Sequence, residues 1–266
     1  MTDVVKITIE KGVAHVRLNR PDKYNSLSPE MFDAIVAAGR SIAADSSVRV
    51  VVLSGEGKGF CAGLDFETFT KVESGGNSVL ADKTDGTYPN PFQSAACVWK
   101  NLRIPVIAAI HGSAFGGGIQ IALGADIRLA RPDARLSIME VKWGLIPDMA
   151  ASQTLRHLVR IDVAKELIWT GRILSGQEAF QLGLVTRLCD DPVAEALLLA
   201  KEIAQKSPDA ISAGKRLIET AWLSSAEEGL RLEEELQKSL LGSPNQVEAM
   251  KANFEKRHPN FQDVKV

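Results

Sequence analysis

The sequence predicts an α/β fold on three observations. Its first eighteen residues alternate apolar and polar side chains around a Lys11-Gly12 turn. Two short apolar runs, Val48 to Leu53 and Pro105 to Ile110, have the length and composition of buried strands. A strand, glycine loop and helix series occupies the middle of the chain, and helical spacing dominates from Ala150 onward.

Val5, Ile7 and Ile9, followed by Val13 to Leu18, read as a β-hairpin. Ser28, Pro29 and Glu30 supply an N-cap, a first-turn proline and a first-turn acid. Phe32, Ile35, Val36, Gly39, Ile42 and Ala43 follow at helical spacing, so a helix is expected from about Pro29 to Ala44. The run ending at Ser54-Gly55 and the run at Pro105 to Ile110 are expected as buried strands. Between them, residues 67 to 93 carry Gly75-Gly76, Asn77, Asp82, Asp85, Gly86, Pro89 and Pro91 with little apolar periodicity, which reads as a surface loop. His111 to Gly118 is glycine-rich and leads into a helix through Ile119 to Leu123, with a further strand at Asp126 to Ala130. Asp162 and Ser175 are candidate N-caps, and Gly183 closes a short helix before the strand-like Leu184 to Leu188. Everything after Asp191 reads as helix, which divides the chain into a core of residues 1–190 and a helical region of residues 191–266, a lid or an oligomer-building arm.

Composition narrows the partners. Lys and Arg number 31 against 33 Asp and Glu, and the basic residues come in short pairs such as Lys215-Arg216 and Lys256-Arg257. That leaves no basic footprint for nucleic acid or an anionic membrane, and favours an acidic or neutral small-molecule partner. Cys61, Cys97 and Cys189 are odd in number and too far apart for a Cys-x-x-Cys pair, so free thiols in a reducing compartment are expected. The N-terminus lacks a basic flank followed by an apolar stretch, and no apolar run reaches the ~18 residues of a membrane span, so a cytoplasmic location is expected.

Two glycine-bearing segments carry the chemistry. Gly59-Phe60-Cys61-Ala62-Gly63-Leu64-Asp65 follows a buried strand, where ligands of α/β proteins bind and where glycine lets backbone N–H groups come close to a ligand; from spacing alone a plain turn is an equal reading. Gly112-Ser113-Ala114-Phe115-Gly116-Gly117-Gly118-Ile119-Gln120 follows the next strand and opens a helix, so it too can offer free N–H donors, unless its glycines serve close packing alone. It is neither a phosphate loop nor a dinucleotide loop, and Ser113 is not flanked as a nucleophile elbow. His15, His157 and His258 share no metal-ligand spacing, so no metal site is expected; His111 reads as structural.

In order along the chain stand Asn19-Arg20-Pro21 with Asn25-Ser26-Leu27, Phe60 to Asp65, Ile104-Pro105-Val106 with His111-Gly112, Gly116-Gly117-Gly118, Gly144-Leu145-Ile146-Pro147, and Thr170-Gly171-Arg172 with Ala179 and Gly183-Leu184-Val185. By these motifs the chain resembles the crotonase family of enoyl-CoA hydratases and isomerases over nearly its whole length. The resemblance implies a spiral of ββα units with a C-terminal helical region, assembled as a homotrimer or homohexamer. It implies an acyl-CoA substrate and no separate cofactor, since coenzyme A is part of that substrate. It assigns the two N–H donors for the thioester oxygen to Ala62 and Gly117. Of the two glutamates of the hydratases, the second aligns with Glu140, while the position of the first is Gln120, which cannot take a proton and is expected to contact the substrate. Asp148 matches the place of a functional aspartate in dienoyl-CoA isomerases and aroyl-CoA dehalogenases, although it could equally cap the following helix. By the same resemblance Lys23 and Asp65 contact the coenzyme A nucleotide, and Phe254, Lys256 and Arg257 resemble tail residues that reach a neighbouring subunit's ligand. Trp143 lines the acyl pocket or fills core.

Double-bond isomerisation is placed ahead of hydration because Gln120 leaves one of the two hydratase glutamates. Hydration of a 2-enoyl-CoA, hydrolysis or dehalogenation with Asp148 as nucleophile, and a non-catalytic CoA- or RNA-binding scaffold are the alternatives.

Overall fold

The computed structural model describes residues 4–65 and 88–263. The expected hairpin forms from β1 (Val5–Glu10) and β2 (Val13–Leu18), closed by Lys11 and Gly12 in left-handed conformation. It begins a six-stranded sheet of order β1-β2-β3-β4-β6-β9, in which β3 is Val50–Gly55, β4 Val106–Ile110, β6 Ile127–Ala130 and β9 Arg187–Leu188. Beyond the antiparallel hairpin every pairing is parallel.

Both faces of this sheet are covered, which is why β3 as far as Leu53 and the whole of β4 are apolar. Val16, Val51, Leu53, Ala108 and Ile110 face one core, against α1 (Pro29–Ala43) and α2 (Pro91–Lys100). Val50, Val52, Ile107, Ala109 and Leu129 face the other, under the alanine stripe Ala196, Ala200 and Ala204 of a helix at Pro192–Ala204. That helix therefore packs directly on the sheet. α1 starts at the Ser28 cap as expected. α2 was not expected. Its Pro91 is a first-turn proline, and Asn90 with Gln93 forms a capping box, so the loop reading fails from residue 91. The rest of that reading, up to residue 87, lies outside the described residues.

A second, small sheet is built from strands of two or three residues. β5 (Ser113–Phe115) pairs in parallel with β7 (Arg135–Ser137), which pairs antiparallel with β8 (Leu174–Ser175). The chain thus alternates between sheets, β4 to β5 and then β6 to β7, winding the spiral of ββα units. α3 (Gly117–Leu123) follows β5. Next come α4 (Ala151–Leu155), α5 (Ile161–Thr170) and α6 (Gly176–Leu182), with the Pro192–Ala204 helix as α7. Ser175 caps α6 and Gly183 ends it, as expected, whereas α5 is preceded by Arg160 and the candidate cap Asp162 sits inside the first turn, paired with Arg160.

Three serine-capped helices complete the chain: α8 (Pro208–Ala221), α9 (Ala226–Leu240) and α10 (Pro244–Glu255). The tail returns to the sheet, where Arg49 donates to the Phe261 carbonyl at 3.0 Å. Arg257, expected to reach a neighbour's ligand, is engaged by Glu248 and Glu255 on its own tail, while Phe254 projects outward. Under α8 lies a cavity of about 550 Å³ at the N-terminal ends of β4 and β6, far from the glycine loops that follow β4. The three cysteines are free thiols. No helix among the described residues is long and apolar enough to cross a membrane.

Candidate active site

The site is assembled by loops that bond to one another. Tyr24 and Asn25 both take left-handed backbone, φ 49° and 56°. This turns the fully buried Asn25 side chain inward, where it accepts from Arg20 N–H at 2.8 Å and donates to the carbonyls of Glu56 and Gly59 at 2.9 Å and Phe60 at 3.2 Å. The 59–65 loop is held on its other edge by β5: Cys61 N–H donates to Ser113 O at 2.9 Å and Phe115 N–H to Cys61 O at 3.0 Å. Glycine is required at this seam. A Cβ at Gly63, φ 89°, would lie 2.7 Å from Phe115 O, and one at Gly118 would lie 2.4 Å from Cys61 O.

The same bonds decide which N–H groups are free, and they correct the expectation for Ala62. Its N–H donates to Tyr24 O at 2.9 Å. Leu27 N–H then donates to Gly63 O and Asp65 N–H to Leu27 O, a pairing that leaves Leu64 N–H between them without a hydrogen bond among the described residues. Gly117 N–H, at the first position of α3, is likewise unengaged. The two donors are neighbours, since a Cβ on Gly63 would stand 3.7 Å from the Gly117 nitrogen. Leu27 and Met149 wall the space at Gly117, where a Cβ would meet them at 2.7 and 2.8 Å.

Glu140 begins a 3-10 turn, Glu140–Trp143, after β7. Its carboxyl lies against Gly116, 3.5 Å from the place of a Cβ there, so the titratable group stands beside the donors. Gln120, almost fully buried on α3, donates from Nε2 to Glu140 Oε1 at 2.6 Å; its own Oε1 accepts from Met149 N–H at 2.8 Å and Ala151 N–H at 3.3 Å. Glu140 Oε2 is buried and without a hydrogen-bond partner. Burial raises the Glu140 pKa, opposed by its own backbone N–H and the Gln120 amide and reinforced by the charge of Asp148. Gln120, expected to contact the substrate, is a hydrogen-bond partner of Glu140.

Asp148 is exposed as a residue, yet protein crowds its carboxyl enough to raise its pKa as well. It does not cap α4: the N-cap is Ala150, at φ 69° with no side-chain bond. Asp65 is buried and structural. It accepts from Ser26 Oγ at 3.0 Å and pairs with Arg20 at 2.8 Å, so it is not offered to a nucleotide. Lys23 is exposed on the short Pro21–Lys23 turn beside Tyr24. Trp143 is half exposed, with Val141, Leu145 and Ile146 around it also exposed, so it does not fill core. Cys61 is buried, donates to Asn25 O, and has its thiol pKa pushed up to about 12 by burial, which removes it as a nucleophile. His111 bonds the Gly57 carbonyl at 3.0 Å, in keeping with a structural role.

A family model described as enoyl-CoA hydratase/isomerase matches residues 8–264. The chain belongs to that family. It is 32% identical to the peroxisomal Delta(3,5)-Delta(2,4)-dienoyl-CoA isomerase of Arabidopsis thaliana, over 97% of this chain and 96% of that protein. It is 31% identical to the mitochondrial methylglutaconyl-CoA hydratase of Mus musculus, over 94% and 80%. The crystal structure of the enoyl-CoA hydratase of Bacillus anthracis superposes with a TM-score of 0.87 at 30% identity, covering 97% of this chain and 98% of that one.

The protein is accordingly a crotonase-fold enzyme of the hydratase/isomerase class. Within that family frame, sequence reasoning missed Leu64, Asn25, Met149 and Ala150. The first could have been found by asking which N–H in the 59–65 loop lacks an acceptor, but the answer needs the Tyr24 turn. The last two have no side-chain signature, because what the site uses is the Met149 N–H and the left-handed turn at Ala150 that brings the Ala151 N–H beside it.

Proposed function

We propose that this enzyme shifts the double bond of an enoyl-CoA, with Glu140 as the acid–base group and the Leu64 and Gly117 N–H groups as donors to the thioester oxygen. The observation that carries this reading is the Glu140 carboxylate: one oxygen is held by Gln120, the other is buried without a hydrogen-bond partner, and the group lies against Gly116, next in the chain to the unengaged Gly117 N–H. In a 3-enoyl-CoA, Glu140 Oε2 takes a proton from Cα and the electron pair moves into the thioester carbonyl. The resulting dienolate oxygen is held by the two N–H groups. Return of the proton to Cγ re-forms the carbonyl and leaves the double bond between Cα and Cβ. Preorganised donors aimed at the developing charge supply most of the stabilisation, roughly 3–4 kcal/mol for each donor. The raised pKa of Glu140 suits a group that must both take and give a proton near neutrality.

Lys23 is assigned to the coenzyme A phosphates, Trp143 with Ile146 to the acyl group, and Asp148 to the acyl side of Glu140, where its charge adds to the burial that raises the Glu140 pKa. The exposed apolar residues Ile161, Trp169 and Trp222 support assembly as a homotrimer or homohexamer. Incubation with a 3-enoyl-CoA and, separately, a 2-enoyl-CoA tests the reaction. Bond shift without hydroxyl addition supports isomerisation; accumulation of a 3-hydroxyacyl-CoA supports hydration instead.

A further inference from the structure

We infer that Gln120 is a positioning residue whose amide, oriented by the backbone turn at residues 149–151, keeps Glu140 ionised and makes Oε2 its proton-carrying oxygen. The inference rests on the reading of Glu140 as the acid–base group.

A glutamine amide is nearly symmetric in shape, so something must decide which end faces the carboxylate. Here two backbone N–H groups, Met149 and Ala151, converge on one end, which must be the oxygen. The NH2 end is thereby aimed at Glu140 Oε1, 2.6 Å away. The turn that brings those two N–H groups together passes through Ala150 in left-handed backbone, a conformation a β-carbon disfavours. Gln120 is 1% exposed, so water cannot take over the role of its amide.

The chemical consequence concerns where the proton goes. A proton on Glu140 Oε1 would oppose the amide N–H, so protonation falls on Oε2, the oxygen without a partner. Donation from Gln120 also favours the carboxylate form against the burial that disfavours it. A glutamate at position 120 could still accept from Met149 and Ala151 N–H, but it would set a second negative charge against Glu140. Glutamine is thus the residue that satisfies the turn and the base together.

The test is a 13C NMR titration of the glutamate side-chain carboxyls, with the Glu140 signal assigned by its loss in Glu140→Gln. In Gln120→Met, which keeps the volume and removes the hydrogen bonds, the Glu140 midpoint is expected to move up. In Gln120→Glu it is expected to move up further, and kcat on a 3-enoyl-CoA to fall more than KM changes. A general loosening of the fold would lower activity without raising that midpoint. If Gln120→Met does not fold, Gln120→Glu carries the test. An unchanged midpoint in the folded variants, with Glu140→Gln inactive, overturns the inference and leaves the acid–base reading standing. A raised midpoint with Glu140→Gln fully active overturns the acid–base reading instead.

Discussion

Replacing a single backbone amide by an ester removes one N–H and leaves the side chain in place, which makes it the sharpest probe of the two donors. At Leu64 the N–H bonds nothing within the described protein, so its loss breaks no hydrogen bond of the fold. If it holds the thioester oxygen as negative charge develops, its removal lowers kcat by roughly 10²- to 10³-fold, about 2.7–4 kcal/mol. At Ala62 the outcome is the reverse. That N–H donates to Tyr24 O at 2.9 Å, and removing it leaves a carbonyl unpaired at a partly buried turn, which costs about 1–3 kcal/mol of stability. For a chain of this size that amounts to roughly 2–4 °C in Tm per kcal/mol. Leucic acid at position 64 and lactic acid at position 62, introduced by nonsense suppression, give the pair of variants. Thermal unfolding and turnover of a 3-enoyl-CoA are then measured on both. A large kcat loss at position 62 with none at position 64 refutes the assignment.

Four further outcomes follow from the same structure. Asn25→Ala leaves Arg20 N–H and the carbonyls of Glu56, Gly59 and Phe60 without their buried partner, and is expected to lower stability by about 2–4 kcal/mol in urea unfolding. The raised pKa of Glu140 places the acid limb of kcat/KM above the pH at which a free glutamate titrates, since proton abstraction needs the carboxylate. For stability the sign is opposite to that of a salt-bridged acid. The folded state binds this proton more tightly than the unfolded state, so stability falls as pH rises from the unfolded to the folded pKa. Glu140→Gln, which keeps the acceptor for Gln120, is therefore expected to unfold no earlier than the parent at pH 7, as chemical denaturation would show. Sedimentation equilibrium is expected to give three or six chains per particle; placing charges at two exposed apolar positions by Trp222→Glu together with Trp169→Glu is expected to lower that number.

Much of this architecture is legible in the sequence because its signals are local. The hairpin follows from alternation around Lys11-Gly12, α1 from Ser28-Pro29-Glu30, and the buried strands from the short apolar runs Val50 to Leu53 and Val106 to Ile110. The elements that stayed hidden lack a period. β5, β7 and β8 have two or three residues each, too few to show alternation, and α2 starts inside a segment rich in turn formers. The contact of the Pro192–Ala204 helix with the sheet runs through alanines, which do not mark a face strongly in the sequence. At the site, the sequence located both glycine loops and Glu140, but it could not tell Ala62 from Leu64. That distinction depends on a carbonyl supplied by Tyr24, nearly forty residues earlier in the chain, in a left-handed turn. Asp65 misled for a related reason: a carboxylate in a ligand-binding loop and a carboxylate that ties Arg20 to that loop have the same letter in the sequence.

The central claim is that Glu140 carries the proton between two carbons of an enoyl-CoA. Solvent deuterium incorporation into a 3-enoyl-CoA, followed by mass spectrometry and NMR for the parent enzyme and Glu140→Gln, tests it most directly. With the parent enzyme, label is expected at Cα of recovered substrate and at Cγ of the 2-enoyl product in proportion to exchange of the Glu140 proton with solvent, the rest of the Cγ hydrogen being the one taken from Cα. The account also predicts turnover lowered about 10²- to 10⁴-fold, with label lost from both positions, in the variant. Undiminished exchange in Glu140→Gln, or label that follows an added hydroxyl instead of a shifted double bond, would contradict it.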